Sequence, residues 1–179
     1  MTDHPEPQTS RERKYTAGYA FSLTSASVGL NEVPHEALTR SPLSPDYADH
    51  FTRTVETRAT PEQYARAMFG DTPTTSEIFI WRGLLQLRLS PGESPDTVAG
   101  WQIVERSPEW IRLETGSHSL TVNLVVVVLP NELQLTTLVR YDRPLGQWMW
   151  TPLSAVHRRL APSVLTDAIA AIAREIPPG

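Results

Sequence analysis

The chain has 179 residues, 40% of them apolar, enough for one domain with a core of its own. Its formal net charge of −4 gives no electrostatic reason to expect nucleic acid or an anionic membrane as a partner. Cysteine is absent, which excludes disulfides, thiolate metal sites and a cysteine nucleophile, and fits a reducing, cytoplasmic setting.

Residues 1–14, MTDHPEPQTSRERK, are polar and proline-bearing and read as a disordered tail. The whole stretch 1–30 is expected to be largely disordered or irregular, ahead of a single domain over 31–176. Arg11, Arg13 and Lys14 precede YTAGYAFSLTSASVGL, but Thr16, Ser22, Thr24 and Ser25 dilute it too much for a signal peptide. With no apolar run of about 18 residues, no membrane span is expected, and the protein is read as soluble.

Proline punctuates the chain up to about Ser44, which reads as irregular. YADHFTRTVE (47–56) then alternates, with Tyr47, Phe51 and Val55 on one face, and predicts a strand. Thr60-Pro61-Glu62 opens a helix with a capping hydroxyl and a first-turn proline, and Phe69-Gly70 closes it. A second helix is expected from Thr75 or Ser76 to about Leu87. Gly83 weakens it, and Leu85, Leu87 and Leu89 also fit a strand face. SPGESPD (90–96) is a loop.

From there the period is two. WQIVERS (101–107), EWIRLETG (109–116), HSLTVNLVVVVL (118–129) and ELQLTTLVRYD (132–142) predict four strands. Their short turns force antiparallel neighbours. On the third, Leu120, Val122, Leu124, Val126 and Val128 form one face, and Thr121, Asn123, Val125 and Val127 lie on the other. Residues 151–175 read as a helix opened by Thr151-Pro152. Leu153, Val156, His157, Leu160, Val164, Ala168 and Ile172 form its stripe, and Pro162 is expected to kink or divide it. The fold class is α+β: a curved antiparallel sheet burying one face on a long C-terminal helix.

PDYADHF (45–51), YARAMFG (64–70), GWQIVER (100–106) and the span Gln147–Pro162, with Trp148, Trp150 and His157-Arg158, carry a family resemblance. In this order and spacing the chain resembles the DUF2867 family, within or near the START-like (SRPBCC) superfamily that includes polyketide cyclases and pathogenesis-related hormone binders. The resemblance covers residues 31–175, and Gly83 departs from it. It implies a helix-grip fold with a cavity between sheet and helix, and apolar small molecules as ligands. It supplies no catalytic residues, because the narrower family has no settled function.

The familiar catalytic signatures are missing: no nucleophile elbow, phosphate loop or dinucleotide turn. The five histidines never approach metal-ligand spacing, so neither metal nor cofactor is expected. Asp49 and His50 are adjacent on a strand and point to opposite faces, so they cannot orient each other. Arg53 shares the face of Phe51 and Val55, with Asp49. It either anchors a ligand carboxylate or enolate, or reaches solvent at the strand end. His157 lies on the helix stripe and suits a general base or acid near neutral pH; a core histidine bonded to a backbone carbonyl fits the same position.

DRPLGQWMWTPLSAVHRR (142–159) places Trp148, Met149 and Trp150 just ahead of that helix, where they would cover one end of a cavity. An indole buries about 200 Å² and still has one N–H to satisfy, which suits a pocket mouth as well as plain packing. Trp81, Trp110 and Phe51 join this set. Thr121, Asn123 and Thr137 are polar positions for orienting a ligand, with Tyr141 near the mouth.

Three functions are compatible with these residues. The first is a cofactor-independent cyclase, isomerase or cycloaddition-type enzyme, acting on a polyketide-, terpenoid- or lipid-like substrate through His157, Tyr141 and Arg53. The second is a carrier or sensor of such a ligand. The third is an interaction module with a vestigial cavity and the Val125/Val127 face as a homodimer surface.

Overall fold

The computed structural model describes residues 23–56, 59–71 and 79–175. The expected N-terminal tail and the start of the second helix, at Thr75 or Ser76, lie outside these residues. The strands are β1 (Leu23–Val28), β2 (Tyr47–Thr54), β3 (Thr97–Val98), β4 (Trp101–Arg106), β5 (Trp110–Gly116), β6 (Leu120–Leu129) and β7 (Glu132–Tyr141). They form one antiparallel sheet in the order β1-β2-β7-β6-β5-β4-β3. The helices are α1 (His35–Thr39), α2 (Pro61–Phe69) and α3 (Pro144–Glu175), with a π-helical segment at Phe79–Leu84. A curved sheet gripping a long C-terminal helix is the expected α+β helix-grip architecture. Register shifts at Leu23/Ser25 and Ile103/Glu105 mark bulges, which sharpen local twist.

The predicted strands fall where their alternation places them. On β6, Leu120, Val122, Leu124 and Val126 join the main core with Phe51, Leu133, Leu135 and Val139, under α2 and α3. α2 begins as its sequence dictates: the Thr60 hydroxyl accepts from the Gln63 backbone N–H, and the Gln63 side chain accepts from the Thr60 N–H. Tyr64, Ala65 and Met68 are the buried residues of its core face.

Five expectations are corrected. Residues 23–28, read as part of an irregular segment, form β1 and pair with β2. This edge strand has no buried face and hence no hydrophobic alternation to betray it. The stretch read as irregular up to Ser44 contains α1, and with Val33, Ala37 and Leu43 it covers the outer face of the sheet. Val125 and Val127 are fully buried beneath that cover, so they offer no homodimer surface. In place of a second helix reaching Leu87, the chain makes the π-helical segment and then bends, with Gln86 at positive φ (54°) and with Leu85, Leu87 and Leu89 buried between exposed Gln86 and Arg88. Finally, α3 starts at Pro144 and runs through Pro152 and Pro162 without dividing.

The early start of α3 puts Trp148 and Trp150 on the helix itself. Its buried residues are Gly146, Trp150, Ser154, Ala161, Leu165, Ala168, Ile169 and Ile172. In its first half the expected stripe does face the sheet, since Leu153, Val156, His157, Leu160 and Val164 all border the space between them, with Val156 (46% exposed) and Leu160 (52% exposed) also reaching the surface. Gly146 is required at its position: a Cβ there would overlap the carbonyl oxygen of Ser119. The helix start is thereby pressed onto the β5–β6 turn.

Candidate functional site

The sheet and α3 border a cavity of about 160 Å³ that reaches the surface beside Val156 and Leu160. Its wall is apolar, built from Leu87, Val122, Leu124, Leu135, Leu153 and Val164 among others, with Phe69, Trp81, Trp101 and Trp150 contributing aromatic rings. Thr137 and His157 bring the polar side-chain chemistry, together with the indole N–H groups.

His157 is held by strand register. Asp49 and Thr137 stand opposite one another in the β2–β7 ladder, and Tyr47 lies two residues before Asp49 on the same face. Nε2 of His157 lies 3.0 Å from Thr137 Oγ1 and 3.2 Å from Asp49 Oδ2. The Tyr47 hydroxyl donates to that same carboxylate oxygen at 2.6 Å. Asp49 is fully buried, and its other oxygen, Oδ1, has no hydrogen-bond partner among the described residues.

This geometry selects a tautomer. A lone pair on Nε2 facing a carboxylate at 3.2 Å would be repelled, so Nε2 carries the hydrogen and shares it between Asp49 and Thr137. The lone pair then sits on Nδ1, which has no protein partner among the described residues. A carboxylate orienting an imidazole so that its other nitrogen can take a proton is the logic of catalytic dyads. Burial raises the Tyr47 pKa well above the ordinary phenol range; the Asp49 charge and hydrogen bond raise it further, against a smaller opposing effect of Arg158. Tyr47 therefore remains a donor to Asp49 at any physiological pH. Phe51, fully buried, packs behind the imidazole with ring centroids 6.5 Å apart. Trp150 stands 5.6 Å from the imidazole and edge-on to Tyr47 at 5.4 Å.

The other expected site residues scatter. Trp81, Trp150, Thr137 and His157 line the cavity. Trp148 is 76% exposed, and Trp110 packs against the outer-face cluster and does not line the cavity. Trp148 and Met149 line a separate surface groove of about 740 Å³ with Leu84, Gln147 and Pro152, and Leu153 borders both spaces. Thr121 and Asn123 lie on the outer face, as the alternation of β6 requires. Asn123 is bonded to Ser41 and Glu114, and Thr121 to Asp142. Neither can touch a guest on the inner side.

Arg53 does point toward α3, but it donates to the Pro162 carbonyl at 3.0 Å and does not line the cavity. Tyr141 packs against the core away from the cavity wall. Its pKa is raised by burial and then by Asp46.

Sequence reasoning did not pair Asp49 with His157. The signal was present: an acid on the face of Phe51 and Val55 must find a partner, and His157 is the one titratable residue on the expected helix stripe. Trp101, on a predicted strand and within the GWQIVER motif, is a wall residue that the sequence does not single out.

No family model matches the chain, and no curated protein matches it. Among solved structures it is similar to EF2215 from Enterococcus faecalis, a conserved protein of unknown function. Identity is 12%, over 69% of this chain and 68% of that one, with a TM-score of 0.30. No described helix is long and apolar enough to cross a membrane.

Proposed function

We propose that the protein binds a small apolar molecule in the cavity and acts on it without a cofactor, as an isomerase- or cyclase-type enzyme with His157 as general base. The observation that carries this is an apolar hollow of about 160 Å³ with an oriented imidazole in its wall. An enclosed space of about 150 Å³ holds one benzene-sized ring. A polyketide-, terpenoid- or lipid-like guest would therefore place one ring or branched end inside, with the remainder leading out past Leu153 toward the groove. The order of strand, helix and long closing helix supports placing the chain with START-like proteins, and the lack of cysteine supports a cytoplasmic setting.

One observation favours a non-catalytic carrier as the second reading: apart from Thr137, His157 and the indole nitrogens, the wall offers little to polarise a substrate.

Calorimetric titration of toluene into the full-length protein tests the binding. Saturable binding is expected in the wild type and should vanish in Val122→Phe. That substitution fills about 50 Å³ of the hollow and should stabilise the fold by about 1 kcal/mol at ~24 cal/mol per Å³. No saturable binding by the wild type would overturn the proposal. Deuterium exchange at the carbons beside the carbonyl of cyclohexanone, in D2O, separates enzyme from carrier. The wild type should accelerate it by roughly 10²-fold or more and His157→Gln should not; no acceleration by the wild type leaves the carrier.

A further inference from the structure

Five of the eight large apolar side chains exposed among the described residues gather on one side of the molecule: Leu84, Leu145, Trp148, Val156 and Leu160. The last four recur on α3 at steps of three, eight and four residues, which is one stripe of a helix, and exposed Pro152 fills the gap. Leu84 joins the stripe across the surface groove that it lines with Trp148 and Pro152. A helix that buries one side of itself normally carries charge on the other. Here PLGQWMWTPLSAV, from Pro144 to Val156, contains no charged residue, and Arg159 brings the first charge onto the exposed side. The neutral run is about 20 Å long at 1.5 Å per residue.

The five side chains present on the order of 500 Å² of apolar surface, near the top of what a monomer shows in one patch. With the neutral residues between them, the stripe offers roughly 800 Å², the area that one copy contributes to a stable protein interface. Its relief suits a copy of itself. The Trp148 ring, 76% exposed, is a knob, and the groove bordered by Leu84, Pro152 and Leu153 lies beside it on the same side. A two-fold axis sets a patch against its own copy, so a charged patch repels itself and a neutral one does not. It also requires knob and hollow side by side on one surface, as they are here. The chain's net charge of −4 works against an anionic membrane as the occupant.

We infer that a second copy of the chain covers this stripe, α3 against α3, about a two-fold axis beside Thr151 and Pro152. That axis brings Trp148 of each copy over the partner's Ala155, a large side chain over a small one, because the two positions lie equally far from it along the helix. Val156 and Leu160 border the cavity where it reaches the surface, so the first turn of the second copy's α3 closes that opening. Leu153 borders both groove and cavity, so the pair also encloses any part of a guest that leaves the cavity there.

Sedimentation velocity on the full chain, at roughly 1 to 100 μM, tests this. The wild type is expected at twice the 20.0 kDa chain mass. Trp148→Glu and Ala155→Glu each alter an exposed position, so the circular dichroism should be unchanged. The dissociation constant should rise roughly 100-fold or more, because each change is made on both sides of the axis. Val104→Glu, at an exposed apolar position on β4, should leave the dimer intact. In the wild type itself, acrylamide quenching of tryptophan fluorescence should weaken as the dimer forms, a readout that needs no variant.

A wild type that stays monomeric across this range would overturn the inference. So would a dimer untouched by Trp148→Glu and Ala155→Glu, which places the interface elsewhere. A monomer that binds vesicles of phosphatidylcholine and phosphatidylglycerol through Trp148 would assign the stripe to a membrane surface instead. A monomer whose Trp148 becomes open to acrylamide only when residues 1–22 are removed would assign it to the chain's own N-terminal segment. Toluene titration reports on the cavity separately, whichever of these results is found.

Discussion

Asp49→Asn separates a functional carboxylate from a structural one. Asp49 is fully buried, with one oxygen accepting from Tyr47 and His157 and the other unpartnered. Burying a carboxylate costs several kcal/mol even after relaxation. Two charge-assisted hydrogen bonds return about 1.5–3 kcal/mol each, so the two terms nearly cancel. The asparagine keeps the shape and one neutral acceptor for the Tyr47 hydroxyl, worth about 1 kcal/mol, and removes the charge penalty. Its stability should therefore lie within about 2 kcal/mol of wild type, in either direction. His157 fares differently, because without the carboxylate nothing compels the hydrogen onto Nε2. Urea unfolding followed by circular dichroism gives the first quantity, with an unchanged slope confirming a like-for-like comparison. The ¹⁵N spectrum of labelled histidine gives the second, as a fall in the Nε2–H tautomer, and ketone deuteration should fall with it. A loss beyond about 3 kcal/mol with the tautomer unchanged would make Asp49 a structural anchor and refute the reasoning.

Three further outcomes are expected. Gly146→Ala should lower the urea midpoint by the equivalent of about 1–3 kcal/mol, because its Cβ meets the Ser119 carbonyl; a midpoint raised by the better helix former would refute that contact. Burial lowers the His50 pKa below the ordinary 6.5, so the unfolded chain takes up that proton first as pH falls. This group's contribution is flat above about pH 6.5 and destabilises increasingly below it until folded His50 itself titrates, so His50→Gln should flatten the acid side of a stability–pH curve. Identical acid slopes in the two proteins would show that another group controls it. Asn123→Ala should cost about 1–3 kcal/mol by stranding Ser41 and Glu114, yet leave toluene affinity unchanged; weakened affinity would place Asn123 on the wrong face of the sheet.

Much of the fold was legible because most of its strands have one buried face. Alternation located β2 and β4–β7, and a capping hydroxyl with a first-turn proline located α2. The failures have specific causes. β3 is two residues long, and its turn onto β4 is Ala99-Gly100, both at positive φ (49° and 82°), a hairpin geometry more often announced by Asn-Gly. β1 is an exposed edge and carries no pattern. α3 was entered one proline too late: Pro144 and Pro152 both suit a first helical turn, and local chemistry does not choose between them. That choice mattered for the site. Starting the helix at Pro144 sends Trp148 outward and Trp150 inward, a distinction no reading of QWMW as a loop could make. The pairing of Asp49 with His157 depends on the β2–β7 register and on the phase of α3 together, and so belongs to tertiary structure.

The two faces of the sheet differ in how much buried polarity they leave unmatched, the outer one leaving Arg112 Nε, and the difference argues that the inner one has a task beyond packing. On the outer face His50 is bonded to Thr136, Asn123 to Ser41 and Glu114, and Thr52 to Ser25. Under the cover of α1 and its flanks these pairs need nothing from outside. On the inner face, a carboxylate oxygen of Asp49 and the indole nitrogens of Trp101 and Trp150 have no protein partner among the described residues. Folding alone would favour Phe at both tryptophan positions and an apolar residue at Asp49, since each orphaned group costs about 1–3 kcal/mol or more. Sequences break their own packing rules mainly where something other than packing is selected, and here three of the breaks fall on the sheet face that carries the cavity and its oriented base.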